Sequence, residues 1–134
     1  MVYLVPLGRF LYSLIFLMTV MGHFSAGYIG YAAQAGVPAP GLLVPLSGVI
    51  AILGGVSITL GYKAKIGGWL IVLFLVPVTL KMHAFWAVPD PMMHGMQLAM
   101  FWKNVSMLGA ALLITHFGAG PVSLDARRSA PGAM

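Results

Sequence analysis

Residues 41–61 read GLLVPLSGVIAILGGVSITLG, a run with no charged side chain. Lipid offers a backbone N–H or C=O no partner, so a stretch this apolar must satisfy its own peptide groups. At 1.5 Å per residue, about 20 helical residues cross the hydrocarbon core. A membrane barrel strand would instead alternate apolar and polar positions over about 10 residues, and this run does not alternate. The segment predicts a transmembrane helix.

Working outward, Tyr62-Lys63-Ala64-Lys65 makes a short basic turn, and a second apolar run follows from 66 to 88. Pro77 interrupts that run and is expected to kink it, since proline removes one helical hydrogen bond. Pro89-Asp90-Pro91 then stops the helix. A further run occupies 95–117, and upstream another covers 9–31. HFSAG at 23–27 has small residues of the kind found at signal cleavage sites, but the run before it is too long for an ordinary signal peptide. AAQAGVPAPG at 32–41 has the proline and glycine content of a loop. The expectation is an all-α integral membrane four-helix bundle, a single domain over 1–134, with a Gly/Pro-rich, partly disordered tail at 118–134.

Of the 134 residues, 60% are hydrophobic and 7% charged, against roughly a quarter charged in soluble domains. That leaves no polar surface for a water-soluble body and no length for a separate catalytic domain. The net charge of +5 is scattered among apolar runs, which disfavours nucleic acid as a partner. Arg9, Lys63, Lys65, Arg127 and Arg128 all fall on one side of the four spans, and the two opposite loops carry no Lys or Arg. The positive-inside rule then puts both termini in the cytoplasm. With no cysteine, thiolate metal sites and thiol redox chemistry are excluded, and any redox role needs a borrowed cofactor.

Small residues let helices approach in lipid. Gly22, Ala26 and Gly30 repeat every four residues on the first span, as do Ser47, Ala51 and Gly55 on the second. Those two faces are expected to meet, and the ten methionines to fill gaps in the helical interior.

The anomaly is a set of polar residues deep in apolar spans. Counting from the basic side, His23, Lys81 and Lys103 each lie about 22 Å in, and Ser47 and Asn104 stand near the same level. Lys81 and His83 are about 200° apart around their helix, and Lys103 and Asn104 about 100°, so not all can face one pocket. The lysines snorkel to the outer headgroups, rim a cavity for an anionic or carbonyl-bearing ligand, or pair with a partner protein's carboxylate. For His23 and His83 the ordinary reading is a hydrogen bond to a neighbouring helix. A quinone carbonyl is the sharper candidate, and haem ligation is disfavoured. Trp86 and Trp102 read as interfacial belt residues.

Gly8-Arg9, Gly54-Gly55, HAFW at 83–86, Lys103-Asn104 and GAGPVSLD at 118–125 together resemble the DoxX family of small bacterial membrane proteins. The resemblance implies a four-helix bundle in the bacterial inner membrane. It also implies association with redox assemblies, the family taking its name from a subunit linked to a thiosulfate:quinone oxidoreductase. Arg9, His83, Lys103 and Asn104 are the candidate site residues it carries over. Two functions are therefore expected to compete. One is a membrane subunit of a redox complex, binding a quinone among His23, Lys81, His83 and Lys103. The other is a ligand-free assembly subunit that docks on other membrane subunits or on its own copies. Solute transport is disfavoured by the lack of intramembrane carboxylates, and stand-alone catalysis by the lack of any nucleophile–base or carboxylate pair.

Overall fold

A computed structural model describes residues 1–129, and among them every regular element is helical. Helix α1 spans Leu4–Thr19 and tightens into a 3-10 stretch, Val20–Phe24. Ser25 then turns extended, its hydroxyl donating to the Gly22 carbonyl and accepting from the Tyr28 N–H, and a short helix α2 covers Ala26–Gln34. A serine that caps a new helix in this way resets the chain direction. The first membrane helix therefore runs Leu4–Phe24 and not 9–31. Gly22, Ala26 and Gly30 consequently do not form one face: Gly22 lies against the Tyr28 ring and Gly30 against nothing.

Helix α3, Pro40–Leu60, starts with proline in its first turn, where a missing N–H costs nothing. It ends at Gly61, whose left-handed φ of 64° lets the Tyr62 N–H reach the Ser57 carbonyl. Helix α4, Ala64–Met82, includes Pro77 and stops six residues before the expected end near 88. His83 and Ala84 are non-helical and Phe85–Ala87 forms a 3-10 turn, so HAFW lies off the helix and the 200° separation of Lys81 and His83 no longer applies. Helix α5, Pro91–Phe117, is capped by the Asp90 carboxylate, which accepts from the Met93 N–H at 2.9 Å. Four helices, Leu4–Phe24, Pro40–Leu60, Ala64–Ala87 and Pro91–Phe117, are long and apolar enough to cross a membrane. The protein is a multi-pass membrane protein.

The helices pack in the order α1, α3, α4, α5, with α4 between α3 and α5. Adjacent glycines on α4 serve its two neighbours, because successive residues point about 100° apart. Gly67 meets Gly54 on α3, and a Cβ on either would sit 3.1 Å from the other's carbonyl oxygen. Gly68 meets α5, with the Ala111 carbonyl and the Thr115 N–H each 3.2 Å from where a Cβ would be. On α3, Ala51 is buried and Gly55 packs on Phe16 and Leu17 of α1, so the α3 half of the expected small-residue face does meet the first span. Phe16, Ala51, Ile58, Ile71, Leu75 and Ala111 form the core. Most methionines stand outside it: Met92, Met93, Met96 and Met100 are all exposed, against the expectation of gap filling.

The segment after α5 is folded and packed, where a partly disordered tail was expected. Ala119 and Ser123 are buried, and helix α6 covers Leu124–Arg128 with Ser123 as its cap. Residues 130–134 of that tail lie outside the described residues.

Candidate functional site

Two polar groupings emerge, one at each end. At the basic end, Arg9 on α1 is 5% exposed. Its guanidinium donates to the carbonyls of Ala119 and Val122, the latter at 2.7 Å, with a longer contact of 3.4 Å to Pro121. A guanidinium out of water needs acceptors for its five N–H groups, and carbonyls just past the C-terminus of α5 supply them together with the negative end of that helix dipole. The Nε has no partner and is fully occluded. The same loop is bent by left-handed residues Gly118, Gly120 and Val122. Val122 is β-branched, a type that rarely takes positive φ, and Arg9 holds its carbonyl.

Asp125 completes this end. Its carboxylate accepts from the backbone N–H groups of Lys63 at 2.8 Å and Ala64 at 3.0 Å, the open N-terminus of α4, and its own N–H donates to the Gly61 carbonyl. An anion at a helix N-terminus is doubly favoured, by the unpaired N–H groups and by the dipole. Arg9 and Asp125 therefore clamp the start of α1, the α3–α4 turn and the segment after α5 into one end of the molecule. Nothing in the spacing marked Asp125, although it is one of only two acidic residues in the chain.

Two hollows adjoin the clamp. One, of ≈ 480 Å³, is lined by Lys63, Lys65, Ile66, Ser123 and Asp125. The other, of ≈ 300 Å³, lies between α1 and α5 and is lined by Val5, Gly8, Arg9, Tyr12 and Leu113. Phe117, Gly118 and Ala119 border both.

The opposite end carries the residues expected to form a ligand layer, and the structure disperses them. His83 Nδ1 lies 2.7 Å from Gln97 Oε1, and the Gln97 amide donates to the Tyr31 hydroxyl at 3.1 Å, which ties α2 and the end of α4 to α5. Gln97 and Tyr31 went unmarked by the sequence pattern because their pairing depends on where α2 breaks from α1. His23 sits at a helix junction, its Nδ1 3.3 Å from the Thr19 carbonyl and its ring 5.6 Å from Phe74. Its Cβ presses on Gly48 of α3. Lys81 is exposed, and Lys103 is exposed with Nζ 3.5 Å from Met100 Sδ. Asn104 does point inward, at 4% exposure. Taking Gly68 level with Ala111 and Thr115, nine residues along each antiparallel helix bring Asn104 level with Pro77. Both hollows beside the clamp lie at the other end. No group of three His, Cys, Asp or Glu able to hold a metal occurs among the described residues.

The SURF4 family model matches residues 42–130. Inner membrane protein YphA of Escherichia coli (strain K12) is 31% identical over 101 residues, covering 75% of this chain and 71% of that protein. ER-derived vesicles protein ERV29 of Saccharomyces cerevisiae is 28% identical over 80 residues, and Surfeit locus protein 4 homolog of Drosophila melanogaster 32% over 72 residues. The matched region is only 26% of each of these two eukaryotic relatives. No solved structure matches. These matches correct the DoxX resemblance: its short motifs, Gly54-Gly55, HAFW, Lys103-Asn104 and GAGPVSLD, all fall inside the segment that the SURF4 model covers.

Proposed function

The chain belongs to the SURF4 family, and from that premise we propose that it is a membrane docking subunit, binding another membrane protein through the outer half of α5. The observation that carries this is the methionine face of that helix. Met92, Met93, Met96 and Met100 fall within an arc of about 100° and are all exposed. Of the 27 residues of α5 only Asn104 and Ala111 are buried. Unbranched thioethers adapt to irregular partner surfaces, and a partner helix would bury a face that this chain leaves uncovered.

The remaining polar groups support the same reading. Arg9, Asp125, His83 and Gln97 all bond within the chain, and neither hollow beside the clamp is lined by His23, Lys81, His83 or Lys103. The relatives agree in kind: one is named for the inner membrane and another for ER-derived vesicles, so the family is not tied to a respiratory membrane. For this chain the reading includes a bacterial inner membrane, with the Arg9–Asp125 end facing the cytoplasm.

A photo-crosslinking residue at Met96, irradiated in native membranes, is expected to give one discrete adduct with a second membrane protein. The same probe at Leu73, exposed on α4, should give none. Lipid adducts alone at Met96, or a lone chain throughout, reject the docking role. Quinone titration of the purified protein separates the redox reading: docking expects no change when Lys81 and Lys103 both become leucine.

A further inference from the structure

The two hollows beside the Arg9–Asp125 clamp share Phe117, Gly118 and Ala119 in their walls, and the larger adds Lys63, Lys65 and Asp125 while the smaller is lined mostly by apolar residues. The larger sits where α4 begins and α5 ends, at headgroup depth, with Lys63 and Lys65 in its wall. The smaller runs into the membrane between α1 and α5, two helices that scarcely approach at the backbone. Gly8 lines this seam, and a Cβ added there would have nothing within 4 Å, so the space beside it is open.

We infer that the pair holds one anionic phospholipid, its phosphate beside Lys63 and Lys65 and one acyl chain in the seam between α1 and α5. Charge argues for an anionic headgroup. Asp125, the one side-chain carboxylate at this end among the described residues, is bound to backbone N–H groups, while Arg9, Lys63, Lys65, Arg127 and Arg128 are all basic. Arg9 itself lines the seam at 5% exposure, its guanidinium held by the carbonyls after α5. Length argues for an acyl chain over a partner helix. The Tyr12 hydroxyl donates to the Met107 carbonyl at 2.8 Å and bridges α1 to α5. That bridge lies about 16 Å in from Gly118, eleven residues along α5. A crossing helix needs about 30 Å; an acyl chain fits the shorter groove.

Native mass spectrometry of the full chain, released from nanodiscs of equal phosphatidylglycerol and phosphatidylcholine, tests this. Retention of a single phosphatidylglycerol is expected. Lys63→Gln with Lys65→Gln should weaken it about 25-fold, at about fivefold for each lysine near a membrane surface. Gly8→Leu should displace the acyl chain and abolish retention with every charge in place, and Lys103→Gln at the far end should change nothing. If Gly8→Leu fails to fold, the lysine pair decides alone, since both side chains lie outside the core. Equal retention of the two lipids, retention that survives the lysine pair, or a protein in place of the lipid overturns the proposal.

Discussion

Arg9 and Asp125 show how two charged residues are made tolerable at the edge of an apolar molecule. Each meets backbone groups that helix ends leave unpaired, the guanidinium on carbonyls after α5 and the carboxylate on N–H groups before α4. Removing either should therefore destabilise the fold itself. Asp125→Ala is expected to cost about 1–2 kcal/mol, the range for losing a cap with a dipole contribution, read as a lower melting temperature in detergent. Arg9→Leu should cost about 1–3 kcal/mol by stranding buried carbonyls. Arg9→Lys should recover only part of that, because an ammonium lacks the fork that reaches Ala119 and Val122 together. Arg9 was visible in the sequence as an odd charge in an apolar run. Its partners were not, because they lie 110 and 113 positions away.

At the scale of elements, the long apolar runs announced the four membrane helices, but their ends depended on local chemistry that hydropathy does not register. Ser25 severs α2 from the first span by capping, and His83 ends α4 in a non-helical conformation, though the apolar run continues to Val88. Pro77, expected to kink its span, lies within α4. The helix contacts were legible in part: Gly55, marked by its spacing, packs on Phe16 and Leu17 of α1, whereas Gly22 and Gly30 mark no contact between membrane helices and the close approaches at Gly54, Gly67 and Gly68 went unmarked. A matched pair of variants tests this assignment. Gly68→Val would drive a side chain into the Ala111 carbonyl and the Thr115 N–H, and should cost about 1–3 kcal/mol by overpacking. Gly109→Ala, with open space at its Cβ, should instead stabilise α5 by about 0.5–1 kcal/mol. Thermal unfolding of both in one detergent gives the comparison, and equal effects would mean that α4 and α5 do not meet at Gly68.

For the whole molecule, the contacts at one end carry an orientation test. The start of α1, the α3–α4 turn and α6 are joined, so they share a membrane face whichever way the protein inserts. The chain has no cysteine, which makes single-cysteine labelling clean. Tyr3→Cys and Leu124→Cys should label from the same side, and Val37→Cys and Val88→Cys from the opposite side. Reaction of Tyr3→Cys and Leu124→Cys from different sides would break the clamp and the lipid site with it. The basic residues had already implied that the termini share a side. The shared polar layer at the far end was a weaker inference, because depth along a helix says nothing of the direction a side chain takes. Only Asn104 of Lys81, Lys103 and Asn104 points inward.

The clamp also sets an order of events during synthesis. Asp125 fastens a turn that lies 62 residues earlier in the chain, and at about 5–20 residues per second a ribosome takes roughly 3–12 s to cover that distance. For that interval the N–H groups of Lys63 and Ala64 lack the carboxylate that the folded chain gives them. A chain stalled before residue 125 would stay unlatched at this turn, and a protease on that face of the membrane would find it open.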